Sequence, residues 1–291
     1  MAKYARLRAR VEAELPEVEL VEPEPATDDL LALGHDPDYI ARVVTGSLSP
    51  KEQRTIGFPW SEQMVARARR SVGATVAACR AALVEGVAVN LAGGTHHAMR
   101  DSGQGYCVFN DAAIATRWLQ NERSGSRRKR VAIVDLDVHQ GNGTASILAN
   151  DDASFSFSIH CASNFPFRKE HSDLDIALSD GTGDAAYLEA LDNGLAQLTA
   201  RFAPDFIVYV AGADAHYGDR LGRLKLSTVG LTRRDERVFE FARELDVPVA
   251  VTMAGGYGHD IEQTVEVHLN TVRSARDHWS FCRRSAKEKH L

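Results

Sequence analysis

Cysteine is scarce in this sequence, long apolar runs are missing, and positive charge is not in excess. Four cysteines stand among 291 residues (Cys79, Cys107, Cys161 and Cys282), and no two form a C-x-x-C pair. A chain of this length builds a core without disulfide staples, so these residues read as reduced thiols in a cytoplasmic protein. No stretch approaches the roughly 18 apolar residues that cross a bilayer, and the charged start has no apolar signal centre. Membrane partners are therefore not expected. The net charge of -6 argues against direct nucleic-acid binding through bulk electrostatics. No repeat, low-complexity segment or linker divides the chain, which reads as one domain over residues 1–291. Its one basic cluster, Arg283 to Lys289, reads as part of a solvated tail over 276–291.

What is present is enough apolar material, 44% of residues, for one large core. Tyr4, Leu7, Val11 and Leu15 are at helical spacing in residues 1–15. Pro16 to Pro25 reads as an acidic extended link. Asp36-Pro37 suits a helix start, with Asp36 as cap and Gly46 near the end. Ser61 caps a longer helix reaching Glu85-Gly86. Apolar strands are expected at 87–91, 131–137, 155–160, 206–211 and 249–253, and helices at 112–121, 184–202 and 233–245. Strands alternating with helices, and apolar on both faces, imply an α/β fold: a mostly parallel sheet with helices on both sides.

Such sheets bind ligands beyond the carboxyl ends of their strands. Four of these ends carry polar groups: Gly93-Gly94-Thr95-His96-His97, Asp135-Leu136-Asp137-Val138-His139, Gly212-Ala213-Asp214 and Gly255-Gly256-Tyr257. Two carboxylates at a buried strand end repel each other unless a cation joins them. Asp and His donors at this spacing suit Zn²⁺, with Asp214 as a third ligand and one position left open, as in catalytic zinc. The same donors tolerate Fe²⁺ or Co²⁺. A lone D-x-D or D-x-H is common, and such an Asp or His often only caps a helix or fills a core. Convergence of four strand ends is what packing does not explain. One of His96 and His97 can act as general base, and Asp135 can hold a histidine Nδ1–H. Tyr257 can donate to a developing oxyanion.

The segments Gly93–Ala98, Gly103–Asp111, Asp135–Thr144, Gly212–Asp214 with Asp219–Leu224, and Ala254–Tyr257, in this order, resemble the histone deacetylase family of the arginase–deacetylase fold. The resemblance is greatest to compact bacterial members near its class IV branch. It spans about residues 2 to 275. It implies a zinc-dependent amidohydrolase that removes an acyl group from lysine side chains. It implies Asp137, His139 and Asp214 as zinc ligands, and Asp135 behind His96. Asn142 would stand behind His97, with His97 rather than His96 taking the proton, and Tyr257 would be the transition-state hydroxyl. Gly105 and Tyr106 would line the acyl channel, with Phe165 or Phe167 opposite. A structural monovalent cation is also implied.

The sequence departs from the family pattern at four points. Tyr106 stands where phenylalanine is usual, Ala254 replaces the first of three glycines, and Gln140 follows the zinc histidine where many relatives have a second His. The strand that usually precedes the segment matching Tyr4 is expected to be missing. Three other readings stand beside a lysine deacylase. One is a deacylase of small acylated amines such as acetylpolyamines, with an identical metal site. A two-metal ureohydrolase ranks low, because His139-Gln-Gly-Asn-Gly143 offers no further carboxylates. An inactive acyl-lysine-binding protein would need neither base nor oxyanion donor. The oligomeric state is not legible.

Overall fold

The structure, a computed structural model, describes residues 2–122 and 127–288, with side chains described through residue 283. Helices α1 (Ala2–Glu14), α2 (Asp28–Leu31), α3 (Pro37–Thr45), α4 (Pro50–Ile56) and α5 (Glu62–Glu85) precede the first strand. Then follow β1 (Val87–Asn90), α6 (Asp111–Asn121), β2 (Val131–Asp135), α7 (Asn142–Leu148), β3 (Ser154–Cys161) and β4 (Leu174–Leu178). The chain continues through α8 (Asp184–Arg201), β5 (Phe206–Val210), α9 (Thr228–Leu245), β6 (Val249–Thr252) and α10 (Ile261–Glu288). All strand pairs are parallel, in the order β1-β6-β5-β2-β3-β4.

Side-chain alternation along the strands feeds two cores. Val131 and Ile133 of β2, with Phe206 and Val208 of β5, pack under α5 and α6. Ala132 and Val134, with Ile207 and Tyr209, face α8, α9 and α10. A third cluster joins Leu7, Val11 and Leu15 to Val265, Leu269 and Val272, and so docks α1 on α10.

Several expectations need correction. Asp36 precedes α3 but makes no side-chain cap bond; its carboxylate instead accepts from Arg100 Nε at 2.7 Å. Helix α9 starts at Thr228, five residues earlier than expected, with Ser227 accepting from Gly230 N–H. Edge strand β4 and helices α4 and α7 had no distinct signal. β4 alternates partly covered with exposed residues because one face, with Leu174, Ile176 and Leu178, packs against the α8 side and the other faces outward. The expected tail over 276–291 is helical to Glu288, with His278 buried and Trp279 partly buried against the core. Most of the basic cluster Arg283 to Lys289 lies outside the described side chains. Among the described residues β1 pairs only with β6, so it forms one edge of the sheet.

Candidate metal and catalytic site

The strand order creates a crevice between β2 and β5. The chain leaves β2 toward β3 on one side and leaves β5 toward β6 on the other, which splays the two connections apart. Asp137 and His139 follow β2, and Asp214 follows β5. One ligand atom from each lies within 4.8 Å of the others, the one such group among the described residues. His139 Nδ1 is 3.0 Å from Asp137 Oδ1 and 3.3 Å from Asp214 Oδ2. Gly255 N–H donates to Asp137 Oδ2 at 3.0 Å, and Val138 N–H to Asp214 Oδ1 at 3.0 Å.

The electrostatics of this triad fit a cation. Burial opposes the charge on His139, but the two carboxylates outweigh it and raise its pKa to about 10. Burial and the neighbouring Asp137 push Asp214 up. Burial also acts against Asp137, but His96 and His139 hold it well below the usual carboxylate range. Two buried carboxylates facing one imidazole nitrogen are short of positive charge, which a divalent ion supplies better than a proton. Two carboxylates and one imidazole make a donor set suited to a divalent metal ion. The fit extends to the backbone. A Cβ at Gly255 would lie 1.9 Å from Asp214 Oδ2, and one at Gly212 would lie 2.5 Å from Asp137 Oδ2. Only glycine lets these chains pass so close to the carboxylates.

His96 and His97 reach the triad on the loop after β1. Gly93 (φ 85°) and Gly94 (φ 68°) make the turn. A Cβ at Gly94 would collide with the Ala254 backbone, at 2.3 Å from its Cα. The two imidazoles, 4.2 Å apart between centroids, have unlike partners. His96 Nδ1 is 2.7 Å from Asp135 Oδ2, whereas His97 Nδ1 is 2.8 Å from the amide oxygen of Asn142. Burial disfavours charge on both. For His96 the carboxylates of Asp135 and Asp137 outweigh burial and raise its pKa to about 9. For His97 burial is joined by repulsion from His96 and His139, and its pKa falls well below the ordinary value. With Nδ1–H directed at Asn142, the Nε2 of His97 keeps its lone pair.

Asp135, Asp137 and His139, spaced two apart, would share one face in an extended chain, but they do so only in part. β2 ends at Asp135, and the chain then bends. Asp135 therefore goes to His96 while Asp137 and His139 go to the triad.

Around this centre the structure places Phe165 edge to face with His97, at 4.9 Å between centroids. Phe167 is 88% exposed and 6.5 Å from Phe165, so it stands at the outer rim. Tyr106 lies 5.8 Å from the ring of Tyr257 and 5.2 Å from that of Phe58. A Cβ on Gly105 would strike His97 at 2.7 Å and Phe165 at 2.9 Å, which explains glycine there. Gln140 donates to Glu170 O and Asp175 Oδ1 and accepts from Glu170 N–H, which pins the loop carrying Phe165 and Phe167. Tyr257 N–H donates to Asp219 Oδ2 at 2.6 Å.

Three supporting groups escape sequence reasoning. Asp111 accepts from Gly94 N–H, from Thr95 N–H and Oγ1, and from the hydroxyls of Thr75 and Thr252. It thus ties the histidine loop to the end of β6. Lys3, nearly buried, donates to Ala254 O at 3.1 Å and Gly256 O at 3.3 Å. Asp219 fixes the Tyr257 backbone. In the sequence Asp111 looks like an ordinary helix-start acid and Lys3 like an exposed helix charge. Asp111 and Asp219 each lie in a family-like stretch, Gly103–Asp111 and Asp219–Leu224, while Lys3 carried no such signal.

The chain belongs to the histone deacetylase family. Residues 2–272 match the histone deacetylase domain. The chain is 45% identical over 247 residues to an uncharacterized Picosynechococcus protein, covering 85% of this chain and 81% of that one. It is 32% identical over 252 residues to Histone deacetylase 2 of Arabidopsis thaliana, covering 84% and 64%. With the acetoin utilization protein AcuC of Bacillus subtilis the identity is 29% over 269 residues, covering 85% and 68%. A crystal structure of an HDAC homolog from Aquifex aeolicus superposes with a TM-score of 0.77 at 24% identity, over 92% of this chain and 77% of that chain, and so shares the fold. No described helix is long and apolar enough to cross a membrane.

Proposed function

We propose that the protein is a zinc-dependent deacylase that hydrolyses the acyl amide on the terminal amine of a lysine side chain. The observation that carries this reading is the pairing of an Asp137–His139–Asp214 triad with two adjacent histidines held by unlike partners, a carboxylate behind His96 and an amide behind His97. Zn²⁺ suits these donors, as do Fe²⁺ and Co²⁺. When bound, the ion would polarise the acyl carbonyl and lower the pKa of water beside it.

In this reading His97, neutral and with its Nε2 lone pair free, takes a proton from the water as its oxygen bonds to the acyl carbon. His96, charged against Asp135, supplies fixed positive potential beside the developing negative charge. The Tyr257 hydroxyl donates to the oxyanion. The C–N bond then breaks as the leaving amine takes the proton from His97, and the carboxylic acid gives its remaining proton to the amine, so that a carboxylate and an ammonium result. Tyr106 and Phe165 flank an extended acyl-amine chain, with Gly105 leaving the space between them. A structural monovalent cation belongs to the same family-based reading.

The experiment is acetate release from an acetyl-lysine peptide by zinc-loaded protein, with Tyr257→Phe beside it. The expected result is release that falls roughly 10²-fold or more in the variant, the usual cost of losing one oxyanion donor. Equal rates would remove Tyr257 from the mechanism. No release from the peptide but release from an acetylated polyamine would move the substrate to small acylated amines. No release from either, with zinc bound one per chain, would favour an inactive acyl-lysine-binding protein.

A further inference from the structure

Arg234 is the largest fully buried side chain among the described residues, on a face of α9 turned toward the sheet. A guanidinium with no exposure is costly to desolvate, so what it touches has to compensate. Its charge is met by the adjacent carboxylate, with Nε donating to Asp235 Oδ1 at 2.9 Å and Nη2 at 2.8 Å from the same oxygen. Asp235 is itself fixed from two other elements. The Tyr209 hydroxyl on β5 donates to Oδ1, and Thr271 Oγ1 on α10 donates to Oδ2 at 2.6 Å. The guanidinium is therefore held in one orientation.

From there Nη1 donates forward to two main-chain carbonyls, Leu136 O at 3.2 Å and Gly212 O at 2.6 Å. Leu136 directly precedes Asp137, and Gly212 lies two residues before Asp214. These carbonyls sit where the β2–β5 ladder stops. Its closing rung is Leu136 N–H to Val210 O at 3.0 Å, and past it the two chains part toward opposite sides of the sheet. One guanidinium nitrogen thus bridges the two diverging backbones, one residue before Asp137 and two before Asp214.

We infer that Arg234 is a positioning residue that clasps the two ligand-bearing strand ends and sets the separation of the Asp137 and Asp214 carboxylates, and with it the affinity for the divalent ion. This rests on the reading of Asp137, His139 and Asp214 as metal ligands. An arginine is suited to the task because its planar fork faces Asp235 with one edge and the carbonyls with the other; a lysine ammonium lacks that fixed two-sided geometry.

The test is the affinity for Co²⁺ and Zn²⁺, measured by chelator competition, together with the visible spectrum of the Co²⁺ form. Wild type is compared with Arg234→Lys and with the charge-neutral double variant Arg234→Met/Asp235→Asn, and metal-free melting curves are recorded for all three. Both variants are expected to weaken metal binding by about 10-fold or more, the range for residues that orient metal ligands, and to shift the Co²⁺ bands. If the double variant does not fold, Arg234→Lys decides. Wild-type affinity and bands in a variant whose metal-free melting temperature has fallen would make Arg234 a purely structural residue and overturn the inference, leaving the metal site intact. A wild-type protein that binds neither ion would overturn the reading of the site, and the clasp with it.

Discussion

At the scale of single residues, the difference between a carboxylate and an amide divides two neighbouring histidines. Asp135 favours the charged form of His96, and Asn142, with the same reach, offers His97 no charge. Asn142→Asp should therefore raise the pKa of His97. A base must be deprotonated to act, so the acidic limb of the kcat/KM–pH profile should move to higher pH, and the rate near pH 6 should fall most. A limb that stays in place would show that His97 is not the titrating base. Ala254 carries a different kind of tension. Its φ of 51° lies in the left-handed region, which costs an L-residue about 1–2 kcal/mol. Ala254→Gly removes that cost and returns about 0.4–1 kcal/mol as added freedom of the unfolded chain. A net gain between zero and about 1.6 kcal/mol is expected in chemical denaturation, and a loss would mean the Ala254 methyl packs more productively than its backbone suggests.

At the scale of elements, α1 works as a strut. Leu7 and Val11 seat it on α10, and Lys3 in its first turn holds the carbonyls of Ala254 and Gly256 beside Tyr257. Partly exposed ion pairs such as Arg10–Glu266 line the same contact and contribute little each. Leu7→Ala should cost about 2–5 kcal/mol, the range for emptying a buried leucine site. It should also lower kcat at temperatures where the protein remains folded, because the Tyr257 loop loses its brace; full turnover below the melting transition would separate strut from loop. Asp151 joins α6 to the start of β3. Burial alone would raise its pKa, but hydrogen bonding from Gln120 and the charge of Arg117 lower it. A carboxylate lowered on folding stabilises above its unfolded pKa of about 3.9, and that contribution is lost as pH falls through the folded value. Asp151→Asn should therefore lower stability at pH 7 and flatten its decline below about pH 4, as followed by thermal melts across pH.

At the scale of the whole molecule, the site is a product of strand order. β1, β6, β5 and β2 are neighbours in space while they are the first, sixth, fifth and second strands in sequence, so the histidine loop, the Tyr257 loop and both ligand segments meet only when the sheet is complete. Metal binding should then be linked to global folding. An ion at about 100 times its dissociation constant adds about 2.7 kcal/mol. Chelation should lower the melting temperature and added Zn²⁺ should restore it, whereas Asp137→Ala should melt at one temperature in both conditions. An equal zinc response in that variant would place the ion elsewhere.

Much of this was legible in the sequence for a physical reason. Strands buried on both faces must be apolar throughout, so β1, β2, β3, β5 and β6 stood out, and the polar groups at four of their ends had no packing explanation. The candidate triad and the histidine pair were readable as a convergence of donors, because packing gives such residues few other uses at strand ends, while the choice of Asp137 over Asp135 came from the family resemblance. Elements of few residues, such as β4, α4 and α7, are too short for a period to stand out and were not read. Tertiary structure alone decided that the chain bends after Asp135, so that one aspartate serves His96 and the next serves the metal triad. It also decided that Asp111, Lys3 and Arg234, which look in sequence like ordinary charges on helices, are buried. Burial makes a charge expensive unless it is bound to something, and it is the three-dimensional packing that brings a loop, a turn and two strand ends within their reach.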